Sequence, residues 1–421
     1  MKNKKESKRP VSITLVVLLS VSFIAISLIS YFLKSSPALL FPISLISFSV
    51  IFMLISLALI FINLGRNRRR MLAFIISTVV FLIIAIISTI LLIAYILSTA
   101  SVEYEPVEEI KGEYIRTIKT PGNARDIIIE DGYGYIADGE KGLLIIDVSS
   151  VEDSYTVGSC DTDDKAYSIC LQDNFIYLAD WDSGLKIIDV SDKNEPHITG
   201  TYSADGLRII NVSVSNNHAL VTCRKYDNDN NPAGSGIQII DVSDKENPYP
   251  VAEYQTESRA ERISASGNNA FVLCNDDSDL KSIQSELLVL DISSPENPVL
   301  IGKCAIDCYS FNLFIKEDYV YTASANGMHI IDISDKGNPE ICGKFLSYAS
   351  TDVYVEEDTA YIIFFPPAGG DETSLYIVSV FLKEKPEFVD NLLYPVIDSN
   401  NIFVKGDYIY IAGNDILVLK K

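Results

Sequence analysis

Few side chains in this sequence have the types and spacing that metal binding or catalysis requires. The three histidines, His197, His218 and His329, are far apart and form no H-x-x-H or H-E-x-x-H motif, so a zinc or redox metal site is not indicated. The G-x-S-x-G motif of many hydrolases and the phosphate-binding P-loop are both absent from the sequence. These patterns predict no motif-based enzyme and no cofactor.

One segment shares part of the pattern of a calcium-binding loop. Asp227, Asp229 and Asn231 have the D-x-D-x-N spacing with which such loops begin. The match then ends, because Pro232 stands where the loop needs glycine and Gln238 stands where it needs a bidentate glutamate. We interpret the segment as an ordinary polar loop and a weak calcium candidate, and we predict no metal site.

The cysteines form no framework of disulfides. The chain has seven, an odd number that leaves at least one thiol unpaired: Cys160, Cys170, Cys223, Cys274, Cys304, Cys308 and Cys342. Most occupy positions that other parts of the sequence fill with apolar residues, as small buried hydrophobes do. Cys304 and Cys308 are the one local candidate for a disulfide.

Any functional side chain must be positioned by a repeat that begins after residue 112. Its third segment reads GLLIIDVSS around Asp147 and recurs around Asp189, Asp241, Asp291 and Asp332, then weakens around Ser379 and Lys420. Successive copies are 42, 52, 50, 41, 47 and 41 residues apart. A period of this length with several short strands per unit is typical of a β-propeller. Each motif aspartate directly follows a strand, where we expect it to hold a turn.

The order of segments within each unit predicts four antiparallel strands. The second strand carries a large apolar residue that we assign to the core: Tyr135, Tyr177, Leu220, Phe271, Tyr321, Tyr361 and Tyr410. The last unit ends after its third strand, and an unpaired segment, Gly112–Thr120, resembles the fourth strands. We therefore predict an all-β fold, a seven-bladed β-propeller at residues 112–421 that its N-terminal strand closes.

Alignment of the units places a polar residue at the start of every first strand. These residues are Asp126, Ser168, Asn211, Arg262, Asn312, Asp352 and Asn401. If the first strands are innermost, the seven form a ring at the channel mouth, where propellers bind ligands. Polar residues at strand ends also have a structural explanation, and both interpretations stay open. The only tryptophan, Trp181, lies in a loop on the same predicted face and is a candidate contact residue.

The repeat resembles the LVIVD-repeat β-propellers in its G-L-x-I-I-D-V-S-D-x-x-x-P pattern. The resemblance covers Gly112–Lys421 and is clearest in the five units that end at Asp147, Asp189, Asp241, Asp291 and Asp332. It implies a prokaryotic surface or secreted protein, distantly similar to the YVTN-type surface-layer propellers, with no common activity. The resemblance therefore implies the fold and the location and leaves the ligand open.

The first hundred residues predict a membrane anchor. The stretches 11–33, 38–62 and 71–97 contain no charged residue, and each is long enough to cross a bilayer as a helix. Basic residues lie in a tail at residues 1–10 and between the second and third spans, at Arg66–Arg70. The positive-inside rule places both in the cytoplasm and the propeller outside, beyond an acidic linker at residues 100–111.

Charge and anchor together narrow the function. The chain carries −22, and its first hundred residues contain ten bases and one acid, which leaves −31 for the rest and argues against nucleic-acid binding. We predict a multi-pass plasma-membrane protein whose propeller is an interaction module at the cell surface. Its partner would be an envelope protein, a surface-layer protein or a glycan. Two alternatives stay open: an extracellular hydrolase or lyase with acids at the channel mouth, and a component of a membrane complex.

Overall fold

The computed structural model describes residues 113–227, 229, 231–276, 284–364, 372–395 and 399–421. Within these ranges the regular structure consists of twenty-eight β-strands. None of the described residues forms a helix long and apolar enough to cross a membrane. The basic tail, the three expected spans at 11–33, 38–62 and 71–97, and the linker at 100–111 lie outside the described residues.

The described strands form seven four-stranded antiparallel sheets, the blades of a propeller. The first strands are β2 (Asp126–Glu130), β6 (Ser168–Gln172), β10 (Leu207–Ser215), β14 (Arg259–Ser266), β18 (Ser310–Lys316), β22 (Ser350–Glu356) and β26 (Asn401–Lys405). The second strands are β3 (Tyr133–Ala137), β7 (Phe175–Ala179), β11 (His218–Tyr226), β15 (Asn269–Asp276), β19 (Tyr319–Ser324), β23 (Thr359–Phe364) and β27 (Tyr408–Ala412).

The outer half of each blade consists of its third and fourth strands. The third strands are β4 (Leu143–Asp147), β8 (Leu185–Asp189), β12 (Pro232–Asp241), β16 (Gln284–Asp291), β20 (Gly327–Asp332), β24 (Glu372–Ser379) and β28 (Ile416–Lys420). The fourth strands are β5 (Tyr155–Cys160), β9 (His197–Tyr202), β13 (Tyr249–Gln255), β17 (Val299–Ile306), β21 (Glu340–Leu346), β25 (Glu387–Pro395) and, in blade 7, β1 (Glu113–Ile118).

Blade 7 combines the two ends of the propeller sequence. Its strand order is β1-β28-β27-β26, and the register runs from Glu113 opposite Lys420 to Ile118 opposite Ile416. Ile118 is 5% exposed and belongs to the apolar cluster between blades 7 and 1. Arg116 reaches blade 1, where its Nη1 donates to the carbonyl oxygen of Glu152 at 2.5 Å. The strand therefore pairs with β28 within blade 7 and also contacts blade 1.

The first strands are innermost, and each contacts the first strands of the two neighbouring blades. Apolar side chains fill the spaces between blades, as when Ile127 and Ile136 of blade 1 pack with Tyr410 and Val418 of blade 7. The second-strand residues assigned to the core are at most 3% exposed in all seven blades, which confirms that prediction. The repeated apolar pattern is therefore the interface between blades.

The motif aspartates hold the turns that follow the third strands, as expected. In each of the five clear repeats the carboxylate accepts a hydrogen bond from the backbone N–H of the serine two residues later, for example Ser191 N to Asp189 Oδ1 at 2.8 Å. These bonds favour the ionised acid and lower the pKa of Asp189. The aspartates are structural turn residues.

A lysine in these turns packs against a glycine of the preceding blade. Lys245 Nζ donates to the carbonyl oxygen of Val242 at 2.6 Å and lies 5.7 Å from the ring centroid of Tyr177. A Cβ added to Gly200 would lie 2.0 Å from the carbonyl oxygen of Lys245, so only glycine fits. The same close approach occurs in four blade pairs: Gly158 with Lys193, Gly200 with Lys245, Gly302 with Lys336 and Gly343 with Lys383.

Blade 3 departs from this pattern in a consistent way. Ala252 pairs with Ile239 of the third strand just as Gly200 pairs with Ile187. The turn of the following blade has Pro295 where the turns of blades 2, 3, 5 and 6 have lysine. A side chain at this strand position is thus found where the opposing lysine is missing, which makes Ala252 a natural control for Gly200.

Candidate binding site at one mouth of the channel

The seven ring residues lie on the innermost strands at equivalent positions, each opposite the residue two places after the core residue of the second strand. Asp126, Ser168 and Asn401 are the first residues of their strands. In blades 3 to 6 the strand begins two to four residues before the ring residue. In these four blades the register shifts just before the ring residue, as between Ile209 and Asn211. Such bulges are invisible to a repeat alignment.

Hydrogen bonds join most ring residues to a neighbouring blade. Asp126 Oδ2 accepts from the backbone N–H of Ile169 at 2.9 Å, Asn211 Oδ1 from Ile263 at 2.8 Å and Asp352 Oδ2 from Ile402 at 2.8 Å. The side chains also bond to one another: Asn211 Nδ2 donates to Ser168 Oγ at 2.8 Å, and Asn312 Nδ2 to Asp352 Oδ1 at 2.6 Å. The ring therefore has a structural role, the explanation that competed with ligand binding.

Arg262 is the cation of the ring. Its Nε donates to Asn312 Oδ1 at 3.2 Å, and its Nη1 donates to the carbonyl oxygen of Glu261 at 3.3 Å. Its positive charge lowers the pKa values of Asp126 and Asp352, but burial outweighs this effect in both. Burial raises the pKa of Asp352 to about 7, so this carboxyl group takes up a proton near neutral pH.

The titration of Asp352 should make stability depend on pH. The pKa of Asp352 is raised from 3.8 in the unfolded chain to about 7 in the folded protein. The folded protein therefore binds the proton more tightly than the unfolded chain does. The free energy of unfolding should fall as the pH rises from 4 to 7. At a slope of up to about 1.4 kcal/mol per pH unit, the change is a few kcal/mol. Denaturant unfolding at several pH values should show the Asp352→Asn variant gaining stability relative to the wild type across this range.

The control for this experiment is the turn aspartate Asp189. Its pKa is lowered, so it titrates below pH 4 and the Asp189→Asn variant should run parallel to the wild type between pH 5 and 8. If the stability of the Asp352→Asn variant also ran parallel to that of the wild type, the proton taken up near neutral pH would not be bound by Asp352.

Trp181 lies at the border between blades 2 and 3, on the same side of the ring as the loops that follow the second strands. Its backbone φ is 42°, in the left-handed region, and its carbonyl oxygen accepts from the backbone N–H of Ile209 at 3.0 Å. Its ring stacks on Tyr167 with centroids 4.8 Å apart. Arg208 lies 5.3 Å from the Trp181 centroid, and Arg125 lies 4.5 Å from the Tyr167 centroid. Both aromatic rings therefore contact guanidinium groups.

A pocket of about 240 Å³ brings Trp181 and Arg262 together. Its other lining residues are Arg125, Tyr167, Ile210, Arg224, Glu261 and Asn400. Glu261 is the extra residue of the blade 4 bulge, and its carboxylate accepts from Arg224 Nη2 at 2.9 Å and pairs with Arg259 Nε at 2.5 Å. The alignment of repeats missed Glu261, Arg125 and Arg224, because none of them occupies a ring position.

Arg262 also lines a second cavity of about 520 Å³, which follows the innermost strands of blades 1 to 5 away from Trp181. This cavity extends to Glu130 and Asp173 at the far ends of β2 and β6. Arg262 thus lies where the two spaces meet, between the arginine-lined pocket and the rest of the channel.

The other candidates from the sequence are used within the fold. Asp227 Oδ1 accepts from the backbone N–H groups of Asp229 and Asn231, and Asn231 Nδ2 donates to both carboxylate oxygens of Asp227. This bonding is that of a polar turn. All seven cysteines are free thiols, so the suggested bond between Cys304 and Cys308 is not formed. Cys304 packs in an apolar cluster instead.

The fold also brings together three residues that the sequence did not connect. Donor atoms of Asp307, Cys308 and His329 lie within 4.8 Å of one another, and His329 is fully buried with its Nε2 3.4 Å from Asp307 Oδ1. Lys344 Nζ lies 3.0 Å from Asp307 Oδ2 and already balances the carboxylate charge. Burial and this ammonium lower the pKa of His329. The arrangement is an ion pair between Lys344 and Asp307 beside a buried histidine.

Comparison with known families agrees with the architecture. LVIVD repeats match this chain over five segments, residues 121–162, 164–204, 258–306, 309–347 and 398–419. The propeller contains LVIVD repeats in blades 1, 2, 4, 5 and 7. No curated protein matches the sequence.

Solved structures similar to the LVIVD propeller show the fold alone. The computationally designed Ika8 protein is 8% identical, with a TM-score of 0.50 over 73% of this chain and 100% of its own. The WD40 β-propeller domain of Doa1 is 9% identical, with a TM-score of 0.51 over 74% of this chain and 97% of its own.

Proposed function

We propose that this protein is a membrane-anchored interaction module whose LVIVD propeller lies outside the cytoplasm and binds a partner at the Trp181 mouth of its channel. The observation that carries the binding role is the pocket lined by Arg125, Arg224, Arg262 and two aromatic rings. Arginine and tryptophan are the residue types most enriched among energetically important contacts in interfaces. An envelope protein, a surface-layer protein or a glycan would be the partner.

The competing enzymatic function has less support. A hydrolase or lyase would need acids at the channel mouth whose oxygens are free to contact a substrate. Both oxygens of Asp126 accept backbone N–H bonds, and both oxygens of Asp352 do the same or accept from Asn312. The ring carboxylates hold strands together, so binding is the better proposal. A role of the three spans in a larger membrane complex is compatible with it.

Photo-crosslinking would test the binding role. A crosslinking amino acid at Asp205, an exposed residue in the loop that enters β10, should yield adducts in intact cells. The control position is Asp192, an equally exposed aspartate in the turn after β8, at the other end of the blade. Adducts from Asp192 and none from Asp205 would contradict binding at this mouth.

We further propose that the propeller is extracytoplasmic, on the basis of the basic residues before the first span and at Arg66–Arg70. Protease added to intact cells should therefore release a fragment that begins within residues 100–111. Protection in intact cells, with cleavage only after lysis, would reverse the topology. A cytoplasmic marker protein that stays intact is the control.

We also propose that β1 closes the ring. The strand completes the sheet of blade 7 and reaches blade 1 through Arg116, so it links the last strand of the propeller to the first complete blade. Without it, the backbone groups of β28 at Ile416–Lys420 would form an unpaired edge.

A further inference from the structure

The arginines of the propeller are concentrated at one place. Residues 113–421 contain six, and five lie around the Trp181 mouth: Arg125, Arg208, Arg224, Arg259 and Arg262. They come from blades 1, 3 and 4, so the packing of the blades around the channel brings them together. This arginine cluster is an exception in a domain with a strong excess of acids.

The carboxylates at this mouth do not balance all five arginines. Glu261 is shared by Arg224 and Arg259, and Asp182 pairs with Arg208 at 2.5 Å. Among the described residues, no carboxylate lies within ion-pair distance of Arg125. Its guanidinium is held over the ring of Tyr167, and its Nε is buried without a hydrogen-bond partner. A cation that the fold fixes in a pocket without a counter-charge is ready to bind an anion.

From these contacts we propose that the pocket binds the carboxylate group of an acidic side chain on a protein partner, with Arg125 as its main ligand and Arg224 and Arg262 beside it. This inference rests on the proposed function and specifies the chemistry of the same mouth. A guanidinium matches a carboxylate with two parallel hydrogen bonds. The pocket volume of about 240 Å³ suits one side chain.

The surroundings of the pocket favour a single carboxylate over a polyanion or a sugar. The negative charge of the whole domain repels ligands that carry many charges, which disfavours nucleic acids and polyphosphates. A sugar usually stacks on an open aromatic face. Tyr167 and Trp181 stack on each other and each also contacts a guanidinium, so their faces serve to hold Arg125 and Arg208 in place. Trp181 is then a positioning residue.

The experiment uses Trp181 as its own reporter, because it is the only tryptophan in the chain. The full-length protein in detergent is titrated with a peptide that has blocked termini and one glutamate as its single charged group, and in parallel with the same peptide containing glutamine. We expect a saturable change in tryptophan fluorescence with the glutamate peptide only. The apparent Kd should rise at least tenfold in the Arg125→Gln variant and also rise with salt concentration. Arg116→Gln, the arginine outside this mouth, should bind as the wild type does.

The outcomes separate this inference from the proposed function. Equal responses to the two peptides, or unchanged binding by a folded Arg125→Gln variant, would overturn the carboxylate site. A response to a uronic-acid oligosaccharide and none to the glutamate peptide would overturn the protein partner. If the crosslinker at Asp205 captures a partner equally well in Arg125→Gln cells, the interaction module stands and the carboxylate site falls. A melting temperature for each variant shows that it is folded.

Discussion

Removal of residues 113–120 from the full-length chain is expected to unfold the propeller or cause it to aggregate. The deletion exposes the edge of β28 and removes Ile118 from the cluster between blades 7 and 1. The deletion removes the buried Ile118, the partly buried Ile115 and several backbone hydrogen bonds to β28. Together these losses should lower the free energy of unfolding by roughly 5 kcal/mol. A loss of that size approaches the whole stability of many domains. Thermal unfolding and resistance to protease in detergent would measure the effect.

A deletion of equal length in the linker provides the matched control. Removing residues 101–108 shortens the chain before β1 by the same eight residues and leaves the strand intact. We expect this variant to melt as the wild type does. If the two deletions have the same melting behaviour, and both stay soluble, β1 does not hold the ring closed.

The second large effect is expected at the contact between Gly200 and Lys245. An alanine Cβ at position 200 would lie 2.0 Å from the backbone carbonyl oxygen of Lys245. The obstacle is backbone, so a change of side-chain rotamer cannot relieve it, and blades 2 and 3 must separate. Overpacking of this kind typically costs about 1–3 kcal/mol, and we expect Gly200→Ala to lie at the upper end. Denaturant unfolding would give the loss directly.

The reverse exchange in the next blade is the control. Ala252→Gly changes the same strand position opposite Pro295, and we expect only the ordinary cost of a strand glycine, about 0.5–1 kcal/mol. If the loss for Gly200→Ala were no larger than that for Ala252→Gly, the close approach of the lysine turn would not be a constraint on the fold.

The polar ring and the Trp181 mouth have different roles. The ring residues bond to the backbone and side chains of neighbouring blades, so substitutions such as Asn211→Ala should change stability first. Arg125 makes no described hydrogen bond that a substitution would break, so its loss should change binding first. The two properties can therefore be separated by experiment within a single channel.

The sequence by itself determined the repeating part of this protein. Turn residues such as Asp189 and core residues such as Tyr177 could be assigned because similar residues recur at a fixed place in most units. A local alternation of apolar residues, bounded by turn residues, also defines four strands per blade. Each of these features depends on residues close together in the chain, and local patterns carry that information well.

Only the tertiary structure decided which polar residues meet. Arg125, Trp181 and Glu261 come from three blades and follow no common position in the repeat. The bulge before Arg262 adds Glu261, whose carboxylate accepts from Arg224, and no periodic pattern in the sequence marks it. The contact between Asp307 and His329 was hidden for the same reason. The residues that meet at the mouth depend on how the blades pack around the channel, so local patterns in the sequence do not define them.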